Sequence, residues 1–343
     1  MPNLVLVLCV LLMSFPLCGC GSGSTDARTD VATATPTDPT ATASTGRPSV
    51  SLALNWYAEA EHGGYVAARE LGFFQDAGLD VTIRPGGPGA PNLVIQELAS
   101  ERLEFAVSNA DLVVLGRANG VPLVAVAAPL QQSPRCIVVR KDSGIERLDQ
   151  LQDLELAISD SRPFALWMKK KLPLTNVTMV PYSGQVGEFL VKPKFAQQGY
   201  VFSEPFVIRE AGGDATVLML SDIGFNPYGS LLVTTEDVIR SKPELVRSMV
   251  QASVRGWQVY LQDPEPTNRR IHADNREMSL AALAYGAQTM KDLYQPEQGQ
   301  PLCGMNRDRW QTLIEQIAEV GEIQITDVTA EQCFDMSFLP TEP

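Results

Sequence analysis

Residues 49–83, SVSLALNWYAEAEHGGYVAARELGFFQDAGLDVTI, decide the fold class. Residues 49–54 alternate polar and apolar as a strand does, residues 61–71 carry apolar side chains at helical spacing and close on Gly72, and residues 79–83 alternate again. The grammar repeats downstream. Residues 92–99 read as a helix and 104–108 as a strand. Asn109 stands where it can cap a helix over 110–119, and 122–127 form an apolar run suited to a buried strand. Such alternation predicts an α/β fold of parallel sheets flanked by helices, with ligands outside the carboxyl ends of the strands.

A second group of units follows the apolar run at 136–139. Strands are expected at 154–158, 177–180, 199–202 and 216–220, and helices at 163–171, 187–198 and 204–211, the second of these interrupted by Pro193. The chain then returns through 230–234. Ser241-Lys242-Pro243-Glu244 has the form of a capping box, and Leu245, Met249, Ser253, Trp257 and Tyr260 follow it at helical spacing. Two lobes joined by two crossings follow from this order, with lobe 1 over 48–138 and 229–339, lobe 2 over 139–228, and a ligand cleft between them.

Upstream, the sequence is of another kind. Residues 4–13 are one apolar run of about ten, too short to span a bilayer, which needs about 20, but suited to a signal peptide. Leu17-Cys18-Gly19-Cys20 resembles a bacterial lipobox, so residues 1–20 are expected to be a lipoprotein leader and Cys20 the acylated residue. Apart from Arg28 and Arg47, residues 21–47 are Gly, Ser, Thr, Ala, Asp and Pro with Val31 as their only large aliphatic, the composition of a tether that cannot bury enough surface to order itself. An exported, lipid-anchored protein facing the periplasm or the extracellular side is expected. Of the remaining cysteines, Cys136 reads as a buried thiol, while Cys303 and Cys333 are a candidate disulfide.

Composition bounds the function. The 343 residues are 45% hydrophobic and 20% charged, with 40 acidic against 27 basic side chains, so the chain has enough apolar material for roughly two domains of 100–200 residues. The acidic excess, with no basic run beyond Lys169-Lys170-Lys171, argues against nucleic acid as a partner. Only two histidines are present, and there is no H-E-x-x-H, G-x-S-x-G, Walker loop or paired Cys-x-x-Cys, so neither catalytic residues nor a metal or cofactor is expected.

What remains is a set of polar and aromatic residues at predicted strand ends: Asn55-Trp56-Tyr57, Ser108-Asn109, Tyr182, Glu204, and Asn226 with Tyr228, together with Glu61 and His62 at the first helix start. Aromatic faces stack on a planar ring and Asn, Ser and Glu bond its edge, so these eleven residues are the expected binding set for a small aromatic heterocycle.

Asn55-Trp56, Gly72-Phe73-Phe74 with Gly78-Leu79-Asp80-Val81, Phe105-Ala106-Val107-Ser108, Gly120-Val121-Pro122, and Gly199-Tyr200 with Glu204-Pro205 resemble the thiamine pyrimidine synthase-like family over nearly all of 49–339. That resemblance implies a two-lobed type II periplasmic-binding fold. It also implies an ABC importer's solute-binding component, with a permease and its ATPase as partners. The family also holds pyrimidine-synthesising enzymes that use pyridoxal phosphate and an active-site His. Their reactive Lys and His fall on Ser108 and Leu112 and their cysteine run on Phe225-Asn226-Pro227-Tyr228-Gly229, none of which can do that chemistry. A ligand sensor feeding a signalling partner is a further alternative.

Overall fold

In the computed structural model, residues 46–341 are described. The leader, the lipobox with Cys20 and all but the last two residues of the expected tether lie outside them.

Ten strands run in chain order: β1 Ser49–Ala53, β2 Asp80–Arg84, β3 Phe105–Ser108, β4 Leu123–Ala127, β5 Arg135–Arg140, β6 Glu155–Ala157, β7 Thr178–Val180, β8 Phe195–Tyr200, β9 Ala215–Met219 and β10 Leu231–Thr235. They form two five-stranded sheets, ordered β2-β1-β3-β10-β4 and β7-β6-β8-β5-β9. Each sheet is mixed rather than wholly parallel. In the first, β10 returns antiparallel between β3 and β4; in the second, β5 enters antiparallel between β8 and β9. A strand arriving from the other sheet comes in from the shared edge, so it runs against neighbours whose helical crossovers keep them parallel.

Over β3, β10 and β4 the first sheet is buried on both faces, and its side chains alternate between two cores. Leu52, Phe105, Val107, Val124 and Leu232 pack with the long helix Pro243–Gln262, whereas Ala53, Ala106, Ala125 and Val233 face a cluster that continues into the second sheet through Ile137, Leu156 and Ala196. The helix Gly63–Glu70 lies so close to the long helix that a Cβ at Gly64 would sit 2.0 Å from the Trp257 ring, and one at Gly256 would sit 2.1 Å from the Gly64 carbonyl. Only glycine permits that approach.

Several expectations need correction. The sheets divide between 127 and 135, so Cys136–Val138, placed in lobe 1 on sequence, are interior residues of β5 in the second sheet. The helix expected over 187–198 ends at Val191, because Pro193 cannot continue it, and 195–200 become β8 at the centre of the second sheet. Ser241 does not cap the long helix: it closes the preceding helix, Glu236–Ser241, and its hydroxyl donates to the Asp237 carbonyl. Cys303 and Cys333 are not bonded; with Cys136 they are free and buried. The reason is topological, since Cys303 belongs to the cluster on one face of the first sheet and Cys333 to the cluster on the other.

Candidate functional site

The two crossings, 128–134 and 220–230, leave a cavity of about 190 Å³ between the carboxyl ends of the first sheet's strands and the facing edge of the second. From the first sheet come Asn55 and Trp56 after β1, Glu59 and Glu61 on the 3₁₀ turn Ala60–His62 and its N-cap, and Asn109, Asp111 and Leu112 at the start of the helix Ala110–Ala118. Facing them are Arg135 on β5, Arg162 and Phe164 at the start of the helix Pro163–Lys171, Tyr182 after β7, Tyr200 at the end of β8, and Ser203 and Glu204 after it.

Glu204 is held rather than loose. The Tyr182 hydroxyl donates to one oxygen at 2.6 Å, and the backbone N–H of Tyr200 donates to the other at 2.6 Å. A Cβ at Gly199 would meet Glu204 Cγ at 2.9 Å, so the glycine lets the carboxylate fold back on its own strand. Burial still raises the Glu204 carboxyl above its ordinary value, while those two donors hold it down. The Tyr200 hydroxyl accepts from Asn109 Nδ2 at 3.2 Å and from Arg135 Nη2 at 3.1 Å, which leaves its own proton to donate; burial pushes that group up to about 12. Arg135 also lies over the Phe164 ring, 4.2 Å from its centroid.

The first-lobe carboxylates are crowded. Glu61 accepts from the Ser230 hydroxyl at 2.8 Å, and burial raises it to about 7. Glu59 is raised well above the ordinary range by burial and then by the charges of Glu61 and Glu204; the Ser203 hydroxyl reaches it at 3.4 Å, and its side chain faces the His62 N–H in a capping box. His62 is fully buried beneath them and driven down to about 3 by desolvation, so it is neutral. Its Nδ1 accepts from the Glu59 N–H and its Nε2 lies 3.0 Å from Asn55 Oδ1, a pattern that assigns the proton to Nε2 and fixes Asn55.

Six of the eleven expected residues, Asn55, Trp56, Glu61, Asn109, Tyr182 and Glu204, line this cavity. The other five do not. Tyr57 points out, 47% exposed, with its ring edge-on to Trp56. His62 supports Asn55 from below, and Ser108 is buried in β3 with its hydroxyl unpartnered. Asn226 and Tyr228 belong to the second crossing. Asn226 Oδ1 accepts from the Ser133 N–H of the first crossing at 2.7 Å, and the Tyr228 hydroxyl accepts from the Asn306 N–H at 2.8 Å with Arg309 stacked over its ring. Asn109, expected as a helix cap, occupies that position without the capping bond and reaches instead to Tyr200 and to the Ser230 N–H.

Sequence reasoning missed Glu59, Asp111, Arg135, Arg162 and Tyr200. Arg135 carried a signal: a lone charge opening an otherwise apolar strand, Cys136-Ile137-Val138-Val139, needs a partner at the strand's edge.

Residues 59–267 match the family described as NMT1/THI5 like. The chain belongs to that family. Its relatives include the riboflavin-binding protein RibY of Chloroflexus aurantiacus, 23% identical over 305 residues that cover 85% of this chain and 86% of the relative. The formylaminopyrimidine-binding protein of Halalkalibacterium halodurans is 25% identical over 226 residues, 63% of this chain and 68% of the relative. A Legionella pneumophila protein named 4-amino-5-hydroxymethyl-2-methylpyrimidine phosphate synthase is 22% identical over 232 residues, 63% and 70% of the two chains. Among solved structures, the periplasmic aliphatic sulphonate-binding protein SsuA of Escherichia coli superposes with a TM-score of 0.63 at 14% identity, over 86% of this chain and 94% of its own. This NMT1/THI5 like chain therefore has the periplasmic-binding-protein fold expected from its sequence.

Proposed function

We propose that the protein is the exported solute-binding component of an ABC importer, and that it carries a small aromatic heterocycle, such as a thiamine pyrimidine precursor, in the cleft between its lobes. One observation carries the reading: a single cavity brings the half-buried Trp56 and the rings of Tyr182, Tyr200 and Phe164 together with the edge-bonding groups of Asn55, Asn109 and the carboxylates. Aromatic faces with hydrogen-bonding groups around them are what a planar heterocycle needs.

The charge supports a neutral or donor-bearing ring over an inorganic or sulfonate anion. Four carboxylates, Glu59, Glu61, Asp111 and Glu204, line the cavity against two guanidiniums, Arg135 and Arg162, and Arg135 is already engaged with Tyr200 and Phe164. Two relatives are named for ring solutes, riboflavin and a formylaminopyrimidine, in keeping with this polarity. The synthase reading draws on the Legionella relative, but the cavity lining includes no lysine, Leu112 faces into it where the enzymes' His would stand, and Ser108 lies buried behind it. Lobe closure by hinge motion would occur at the crossings, which Asn226 and Arg309 tie together.

The same reading places Cys20 as the lipid attachment point, tethering the domain to a bacterial membrane beside a permease and its ATPase. Cys20→Ala should move the protein from the membrane to the soluble fraction; unchanged membrane association would contradict the anchor. Mass spectrometry of whatever leaves the purified protein on denaturation tests the ligand class. An aromatic heterocycle is expected, and a sulfonate or inorganic anion would contradict it.

A further inference from the structure

The carboxylates in the cavity do not have equal partners. Glu204 accepts from two donors and Glu61 from the Ser230 hydroxyl. Glu59 is 5% exposed and lines the cavity; from across the cleft it receives the long 3.4 Å contact from Ser203 at one oxygen, and on its own turn its side chain faces the His62 N–H in a capping box. A buried carboxyl group with open bonding capacity facing a cavity is a recognition element without its ligand's half of the bond.

Its neighbours also settle its charge. On its own turn stand Glu61 and the neutral His62; from across the cleft come Glu204, with the Tyr182 hydroxyl already committed to it. The Tyr260 hydroxyl of the long helix is raised by burial and then by Glu59, and Asp111 from the helix Ala110–Ala118 adds a further carboxylate to the lining. The cations of the lining are Arg162, at the start of the opposite helix, and Arg135, which donates to the Tyr200 hydroxyl and whose influence reaches Glu61 and Glu204. Like charges this close and this buried cannot all ionise, and the proton goes to the member with the weakest donors. That member is Glu59, and the combined effect of burial and the two neighbouring carboxylates raises it well above the ordinary carboxylate range.

Resting on the heterocycle reading above, we propose that Glu59 meets the ligand as a neutral carboxylic acid, one O–H donor beside one acceptor, and that the cleft selects rings presenting a donor and an acceptor side by side. Two edges satisfy this: the amidine edge of an aminopyrimidine, ring nitrogen beside exocyclic N–H, and the lactam or imide edge of a flavin-like ring. An amidinium cation, with two donors, needs a carboxylate and is disfavoured. A dialkylamino ring, with no donor, leaves the Glu59 carbonyl oxygen unpaired. Glu59 is thereby the specificity-determining residue for the ring edge.

The consequence is proton linkage. The complex keeps the proton that free Glu59 gives up as pH rises, so affinity is greatest below the free group's titration and falls above it, at most tenfold per pH unit. Glutamine copies the neutral acid, with one donor and one acceptor on the same frame, but cannot titrate.

The test is calorimetric titration of 4-amino-5-hydroxymethyl-2-methylpyrimidine and of riboflavin into the wild-type protein and Glu59→Gln across pH 6 to 9, with melting curves to confirm folding. For a probe that binds, wild-type affinity should fall with rising pH. Glu59→Gln should stay within about tenfold of the wild-type low-pH affinity and fall less with pH than the wild type, the remaining slope being that of Glu61. Loss of binding in a folded Glu59→Gln, or the same pH dependence in that variant as in the wild type, overturns the proposal while leaving the heterocycle reading intact. A wild-type affinity that is flat or rises over this range overturns it even if the variant does not fold. If the wild-type protein binds neither probe and releases no heterocycle, the heterocycle reading itself fails.

Discussion

Asn55-Trp56 and Asn226-Pro227-Tyr228 look alike in sequence: each sets an Asn near an aromatic residue beside a strand, β1 in one case and β10 in the other. Both lie at the same edge of the first sheet, because β10 runs antiparallel to β3 and its first residue, Leu231, pairs with Ser108 at the end of β3. Yet one pair faces the cavity and the other ties the two crossings together. The difference lies in what each aromatic has behind it. Trp56 stays half-buried, with the loop at Gly184 closing on it from the opposite lobe: a Cβ there would sit 3.8 Å from its ring. Tyr228 is 2% exposed, packed against Trp310 and covered by Arg309, whose side chain also bonds the carbonyls of Gln131 and Asn226 in the two crossings. Aromatic residues at a strand end therefore mark a ligand site only where no helix from elsewhere in the chain has come to cover them, and here the helix Arg307–Glu319 covers one and not the other.

The largest effect that could break this contrast is at the tied crossings. Tyr228→Ala removes a buried ring, its bond to the Asn306 N–H and the face on which Arg309 stacks, and should lower the unfolding free energy of the ligand-free protein by about 3–5 kcal/mol in denaturant titration. A loss below about 1 kcal/mol would mean that Tyr228 is not a packing residue.

Next in size is the pH response of the cavity floor. The folded-state value of Glu61 is raised to about 7, chiefly by burial, so its contribution to stability is fully present below its unfolded value near 4.5 and is lost as pH rises through about 7. Between those limits the wild-type protein should lose on the order of 3 kcal/mol relative to Glu61→Gln. Residues 226–228 carry no comparable group, so Tyr228→Phe should leave the pH profile parallel to wild type. A wild-type profile parallel to that of Glu61→Gln would show that Glu61 is not desolvated.

Much of this was legible beforehand. The alternation over 49–127 and 154–220 gives the strands and most helices, since period-2 and period-3.6 patterns survive wherever one element meets a core. Strand direction was not legible: nothing local in Arg135–Arg140 or Leu231–Thr235 says that they run against their neighbours, because that depends on which sheet the chain has just left. The 187–198 segment was misread because a period-3.6 run and a buried strand share the same apolar residues, and only Pro193 separated them. At the site, residues following the strands' carboxyl ends were readable from topology, whereas Glu59 and Arg135 acquire their roles from charges brought in from distant parts of the chain.

The smallest effect sharpens the comparison between adjacent residues. Tyr57 is exposed and meets Trp56 edge-on with ring centroids 5.6 Å apart, so Tyr57→Ala should change ligand affinity by less than about 1 kcal/mol, measured by titration calorimetry. A loss as large as that expected for Trp56 would place Tyr57 in the cleft after all.

The most direct measurement is the affinity of Trp56→Ala for the ligand released from the wild-type protein, with the melting curve of the ligand-free variant recorded beside it. Stacking on a half-buried indole is expected to contribute about 2–3 kcal/mol, so affinity should fall by roughly 30- to 160-fold while the ligand-free protein keeps its stability within about 1 kcal/mol. Unchanged affinity together with a loss of several kcal/mol in stability would make Trp56 a core residue and contradict the cleft between the lobes as the binding site.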